Sequence, residues 1–389
     1  MNARKFRSFL TIICLAPCLA LAQPKTAEEL APSAIPMAKL DSEKAIQEYN
    51  QAIAKISPTV AKSQRVAVAA ASKSFDPRLP LVLNDRALVY LAKGNYAAAI
   101  IDLDWAILLN PSLAQTWYNR GLVHYKHGEL ALAYNDFARA SELAPRNAFA
   151  FYHLSYLKYL THNLVGAYAD INRALEINAN HAQALLARGK LLRELGQYDL
   201  AIADFTKCLQ SEPRWLAALN LRGNTWKDKG ANNEALEDFN RAIAISSKQA
   251  ELWCNRGNVR LLQGDLAGAL SDYDHALSLK PLASAYNNRG VLFRAQGRLN
   301  EASSDFEQAM LINPSYDLGR LNRQLLAQQL GKPAATPSPL STSDNIATES
   351  AEIVFTYDLA GEFLPGNENP GRASVPSEKP KPKLKIPEP

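Results

Sequence analysis

With 389 residues, 47% hydrophobic and 21% charged, the chain has enough apolar residues to bury a large core. Its formal net charge is +5, and +2 without Arg4, Lys5 and Arg7 at the amino terminus; a nearly neutral chain is a poor match for bulk nucleic-acid binding. Four cysteines, two of them (Cys14 and Cys18) in the first 22 residues, exclude a disulfide scaffold.

Residues 1–22 read as a signal peptide, with a basic start, an apolar run from Phe9 and a small-x-small end at Ala20-Leu21-Ala22. The run is too short and wrongly flanked to span a membrane, so the expectation is cleavage after Ala22 and a periplasmic or secreted product. A lipidated Cys18 is disfavoured, because the lipoprotein pattern wants a small residue where Pro17 stands. Residues 23–40 mix Pro, Ala, Ser and Glu without helical period and are predicted to be a disordered linker. Residues 41–57 read as a helix capped by Asp41 or Ser42. A second helix is predicted over 59–73, stopped before Asp76-Pro77. This pair, within 41–79, is expected to cap the apolar edge of a helical array that begins at residue 80.

From residue 80 one block recurs with a period of about 34 residues. Seven copies run over 80–113, 114–147, 148–181, 182–215, 216–249, 250–282 and 283–316. Position 20 is alanine in all seven: Ala99, Ala133, Ala167, Ala201, Ala235, Ala269 and Ala302. Position 8 is glycine in five (Gly121, Gly189, Gly223, Gly257, Gly290), which helix propensity opposes by about 1 kcal/mol and close helix approach explains. Position 15 is glycine in six, ending the first helix and opening the turn, and Pro111, Pro145, Pro213, Pro281 and Pro314 close the second. The joint pattern resembles the tetratricopeptide repeat, a helix–turn–helix unit, over residues 80–316. The resemblance implies an all-α fold: a right-handed superhelical solenoid of stacked repeats, with the first helix of each (helix A) lining a concave groove. Stability in such an array accumulates from repeat and interface terms.

Residues 317–331 are predicted to form a capping helix that places Leu318, Leu321, Leu325 and Leu330 on one side. Residues 332–389 read as a disordered Pro/Lys-rich tail, within which Ile353–Leu359 has strand-forming composition. The last stretch, Arg372–Pro389, carries a formal +3 and interleaves Lys379, Lys381, Lys383 and Lys385 with prolines, favouring an extended polyproline arm. Such an arm could touch an anionic surface or merely solubilise the chain. The apolar Ile353–Leu359 segment could instead fold back into the groove.

Two polar columns accompany the packing positions. Position 23 is aspartate in all seven copies, and position 7 is arginine in six, with Leu154 in the third. A ladder of Arg–Asp pairs between helices is expected, since the guanidinium fork suits bidentate pairing with carboxylate. Cys208 stands at position 27, where the other copies mostly carry alanine, and Cys254 at position 5 two copies later. Two buried free thiols are predicted, too far apart to bridge.

The family's groove lies along helix A, and the resemblance places positions 2, 5, 6, 9, 12 and 13 there. They include Tyr118 and Asn119, then Phe149, Tyr152, His153, Tyr156 and Tyr159 of the third copy. Further along come Lys190, Arg193, Asn220, Asn224, Lys227, Asn255, Asn258, Asn287, Asn288 and Arg294. A row of asparagines offers donors and acceptors to an extended peptide backbone, and aromatics offer anchors. A generally solvated face is the competing reading. The lysine at position 5 that some members of the family use to hold carboxyl-terminal peptides is missing from every copy.

No catalytic motif appears: there is no glycine-rich phosphate loop, no Gly-x-Ser-x-Gly and no His-Glu-x-x-His. His124 and His127 make half of a metal site at most. No cofactor, metal or catalytic residue is expected. The function anticipated is a non-catalytic adaptor holding an extended segment of an envelope protein. The alternatives are a self-associating assembly factor and a protein attached to cell wall or membrane surface through its tail.

Overall fold

The computed structural model describes residues 42–56, 76–330, 355–357 and 363–365. The leader, the 23–40 linker, the helix predicted over 59–73 and the Lys-Pro arm lie outside the described residues. α1 spans Ser42–Ile56, and seven helical pairs follow. They are α2 (Leu79–Ala92) with α3 (Tyr96–Leu109), α4 (Ala114–His127) with α5 (Leu130–Leu143), and α6 (Ala148–Leu160) with α7 (Leu164–Ile177). Next come α8 (Ala182–Glu194) with α9 (Tyr198–Ser211), and α10 (Leu216–Lys229) with α11 (Asn232–Ile245). The last two pairs are α12 (Ala250–Leu262) with α13 (Leu266–Leu279) and α14 (Ala283–Ala295) with α15 (Leu299–Ile312). α16 (Asp317–Leu330) comes last, at the place of the predicted capping helix. The seven pairs coincide with the seven repeats. In the stretch expected to be a disordered tail, two strands, β1 (Phe355–Tyr357) and β2 (Phe363–Pro365), pair with each other.

The chain divides inside α8, between Ala184 and Leu185, into two compact units. In unit one, Ala52 and Ile53 of α1 pack against Leu79, Val82 and Leu83 of α2, and a further cluster joins Ala133, Phe137 and Ala140 of α5 to Ala150, Leu154 and Leu157 of α6. Unit two contains a core of Tyr273, Ala276, Val291, Leu292 and Phe306, closed by Leu326 of α16. The position-20 alanines are at most 1% exposed in every repeat, so this column is the contact between paired helices.

One packing rule governs each pair. The position-8 glycine faces the ring at position 24: a Cβ at Gly121, Gly189, Gly257 or Gly290 would lie 2.6–2.8 Å from Phe137, Phe205, Tyr273 or Phe306. Where position 8 carries a side chain, position 24 is smaller: Ala87 goes with Leu103, and Ser155 with Ile171. Volume is conserved across the pair, as a close-packed interior requires.

The turns are set by left-handed backbone. Gly94, Gly128, Gly196, Gly230, Gly264 and Gly297 have φ between 75° and 88°, and His162 occupies the same place in the third repeat at φ 58°. The Arg–Asp ladder is present and lies within repeats. Arg86–Asp102, Arg120–Asp136, Arg222–Asp238, Arg256–Asp272 and Arg289–Asp305 are bidentate, with N–O distances of 2.6–2.9 Å. Arg188–Asp204 in unit two repeats the geometry at 2.8 and 2.7 Å. The remaining guanidinium nitrogen reaches back to position 25 of the preceding repeat, giving Arg120–Asp104, Arg222–Thr206, Arg256–Asn240 and Arg289–Asp274. Asn50 of α1 accepts from Arg86 in the same way, so α1 acts as the second helix of a truncated leading repeat. In the third repeat, where Leu154 replaces the arginine, Lys158 Nζ meets Asp170 at 2.6 Å. The position-25 partner there is Ala138, which packs against the same cluster as Leu154.

Candidate peptide-binding face

The helix-A positions expected to line a groove divide sharply by burial. Asn119, Asn220, Asn224, Asn255, Asn258, Asn287 and Asn288 are all at most 2% exposed. Their amides bond to one another. Asn119 Nδ2 donates to Asn84 Oδ1 at 2.8 Å, Asn255 to Asn220 at 2.9 Å and Asn322 to Asn287 at 2.8 Å, each spanning 35 residues. Asn288 Nδ2 donates to Asn258 Oδ1 at 2.7 Å, and the same oxygen accepts from Tyr273 Oη at 2.9 Å. The expectation that asparagines present their side chains to a peptide backbone is therefore corrected: they staple one helix A to the next. Each such bond nets about 1 kcal/mol, and losing one partner strands a buried amide.

Three aromatic candidates are corrected in the same sense. Tyr118, Tyr152 and His153 are 6%, 8% and 1% exposed. The His153 ring packs against Tyr118, Phe137 and Tyr152 with centroids 4.9–5.4 Å away, and its Nδ1 lies 2.8 Å from the Phe149 carbonyl oxygen. These rings are core. His181, which sequence reasoning passed over, is buried against Phe149 and Tyr152, and its Nδ1 caps α8 by accepting from the Ala184 N–H. Burial lowers its pKa to about 4, so it is neutral.

What remains accessible on helix A differs between the units. In unit one the half-buried side chains at positions 9 and 12 are Leu88 and Leu91 on α2, Leu122 and Tyr125 on α4, and Tyr156 and Tyr159 on α6. They form an apolar, partly aromatic face, in which the Tyr125 and Tyr156 rings meet edge-on at 5.9 Å. Burial raises the Tyr125 hydroxyl pKa well above the usual phenol range, with Tyr156 adding to it. Asp85, at position 6 of the first repeat, is half-buried and accepts a single 3.2 Å bond from Asn84 Nδ2. Burial pushes its carboxyl up to about 6.

Unit two presents charge instead. Lys190, Arg193 and Arg294 are half-buried, and Arg193 Nε pairs with Asp228 Oδ2 at 2.7 Å. Lys227 is 5% exposed with its Nζ 3.6 Å from Asp228 Oδ1, and burial lowers its pKa. Lys227 is thus structural, whereas Lys190, Arg193 and Arg294 remain accessible.

His124 and His127 both face Glu129, with Nδ1 to carboxylate distances of 2.5 and 3.2 Å, so their ring nitrogens are engaged with that carboxylate at the α4–α5 turn. Among the described residues no His, Cys, Asp or Glu group is disposed to hold a metal ion, and no helix is long and apolar enough to cross a membrane.

Two missed features had sequence signals. The asparagine pairs at positions 5 and 6 of consecutive repeats recur 35 residues apart, at 84/119, 220/255 and 287/322. Asp85 is an acidic residue at a groove position with no basic residue at the same position of the next repeat.

Family models described as TPR repeat match residues 87–128 and 223–264, and models described as tetratricopeptide repeat match 114–147, 182–214, 250–282 and 283–316. No curated sequence matches the chain significantly. Among solved structures, a tetratricopeptide repeat protein from Parabacteroides merdae aligns with 64% of this chain and 99% of its own, at TM-score 0.51 and 23% identity. The Cut9–Hcn1 hetero-tetramer of the APC/C aligns with 73% of this chain and 52% of its own, at TM-score 0.52 and 15% identity. Identities this low speak for the fold alone. Seven helix–turn–helix pairs in one register, with repeat models matching at six places between residues 87 and 316, make this chain a member of the tetratricopeptide-repeat family.

Proposed function

We propose that this chain is a non-catalytic adaptor of the cell envelope, holding an extended segment of a partner protein on the helix-A face of unit one. The carrying observation is that face itself: Leu88, Leu91, Leu122, Tyr125, Tyr156 and Tyr159 stay half-exposed on three consecutive A helices, while the neighbouring polar positions are buried. Tetratricopeptide-repeat chains act as protein–protein interaction scaffolds, which makes a protein partner the natural occupant. Fully burying one leucine-sized side chain is worth about 1.5–3 kcal/mol, and after ordering costs a few such anchors give affinity of about a micromolar. Recognition would run through apolar anchors rather than through backbone-reading amides. The envelope assignment rests on the leader sequence at residues 1–22.

The test is affinity capture from an envelope fraction with three baits: the wild type, a Leu88→Glu/Tyr156→Glu variant, and a helix-B control, Leu132→Glu/Leu200→Glu. Partners lost only with the first variant support the reading. Equal capture by all three would move binding off this face.

A further inference from the structure

Asp85 sits on the first A helix of unit one, and its surroundings set it apart. Among the described residues, every other aspartate has an arginine or lysine within ion-pair distance. Asp85 accepts only the 3.2 Å bond from Asn84 Nδ2, and Arg86 beside it is committed to Asp102 and Asn50. The carboxylate is half-buried rather than sealed in, so a cation arriving from solvent can reach it.

The border of this position is apolar. Leu81 lies one turn before Asp85 and Leu88 one turn after, on the same side of α2, and both are half-buried. Tyr49 of α1 stands near enough to sense the charge: burial raises its hydroxyl to about 12, and the Asp85 carboxylate, then Glu48, adds to the shift. The Asn84–Asn119 bond at 2.8 Å ties α2 to α4, where Leu122 and Tyr125 occupy the positions that Leu88 and Leu91 hold on α2. A carboxylate taken partly out of water with no cation is costly, and groups held in that state concentrate at functional sites. An asparagine would serve the fold of α2 at least as well, so packing leaves the charge unexplained. Among the described residues no set of His, Cys, Asp or Glu joins Asp85 to hold a metal ion, which points to an organic cation.

We infer that the helix-A face of unit one selects a partner segment carrying a lysine or arginine flanked, within a few residues, by large apolar side chains. The basic group pairs with the Asp85 carboxylate, and its methylene stem lies along Leu81 and Leu88. The apolar residues cover Leu122, Tyr125 and Tyr156. Asp85 decides which segment is accepted, while the apolar strip supplies most of the affinity. This inference rests on the adaptor reading and names the chemistry of its partner.

Selection of a phage-displayed random dodecapeptide library on the immobilised full chain tests it. Peptides selected by the wild type should be enriched in lysine or arginine close to large apolar residues. Asp85→Asn keeps the side-chain shape and removes the charge; its peptides should remain apolar but lose the basic enrichment. Asp85→Lys should replace that enrichment with aspartate and glutamate. A basic peptide selected by the wild type, titrated by fluorescence anisotropy, should bind Asp85→Asn on the order of tenfold more weakly, the size of a lost ion pair. Basic enrichment that survives Asp85→Asn would overturn the inference. So would wild-type peptides that are apolar without a basic residue, and their loss on Leu88→Glu/Tyr156→Glu would leave the adaptor reading standing. Peptides held equally by that double variant would sink both.

Discussion

The Gly189–Phe205 contact turns the packing rule into a number. A Cβ built on Gly189 lies 2.6 Å from Phe205 Cε1, 2.9 Å from Cζ and 3.0 Å from Cδ1, and Phe205 is fully buried, so its ring has nowhere to swing. Gly189→Ala gains about 1 kcal/mol of helix propensity but overpacks the pair at a cost of about 1–3 kcal/mol. Phe205→Leu alone leaves a small void and also destabilises. Together they recreate the Ala87–Leu103 pair of the first repeat, so the double variant should be more stable than the two single effects predict, by at least about 1 kcal/mol. Urea unfolding followed by circular dichroism measures the cycle, and amide hydrogen exchange across α8 and α9 localises it. Additivity within about 0.5 kcal/mol would mean that the two positions are uncoupled, and the complementarity argument would fail.

Asp272 is 2% exposed at its side chain and meets Arg256 at 2.7 Å and Arg260 at 3.0 Å. Asp272→Asn should cost about 2–4 kcal/mol in unfolding experiments, whereas Asp274→Asn, whose partner is the exposed half of Arg289's bracket, should cost under about 1 kcal/mol. His181 is held neutral with a pKa near 4 in the folded chain, below the usual value of about 6.5. Its contribution is fully present above that usual value and is lost as pH falls from there toward 4, up to about 3 kcal/mol. His181→Asn, which keeps an acceptor for the Ala184 N–H, should flatten that acid limb in midpoint-versus-pH measurements. Cys208 and Cys254 are 1% and 0% exposed, and burial pushes both thiols up to about 12. Neither should react with an aromatic disulfide reagent in native buffer, and both should react in denaturant.

The framework was legible because its determinants are local and repeated. Glycine at position 15 announces left-handed backbone, alanine at position 20 announces a tight helix contact, and Arg–Asp columns announce pairing. All three appear in the structure, which adds one contact the sequence had not announced, Lys158 to Asp170 in the repeat where Leu154 replaces the arginine. The face was misread for a physical reason. An asparagine on helix A looks polar and available in one repeat, and only its partner 35 residues away shows that Asn255 is closing on Asn220. Tyr118 and His153 illustrate the same limit: position within a helix fixes direction, but the neighbouring repeat decides whether that direction is solvent or core. Ala138 could have been read as the partner of Leu154, because the loss of an arginine and of its position-25 acceptor coincide in adjacent repeats. Asp85 left a weaker signal, an acidic residue at a groove position with no basic residue at the same position of the next repeat, and its burial depends on what surrounds it in three dimensions.

The central claim is that apolar side chains of the unit-one A helices recognise a partner while the asparagines only hold helices together. Stability and partner capture measured side by side on Tyr156→Lys and Asn288→Ala separate the two roles. Tyr156→Lys should leave the unfolding midpoint nearly unchanged and abolish capture. Asn288→Ala should lower stability by about 1–3 kcal/mol, as a stranded buried amide does, and capture normally below its melting range. The opposite pattern, with capture lost in a stable Asn288→Ala protein and retained by Tyr156→Lys, would contradict the account.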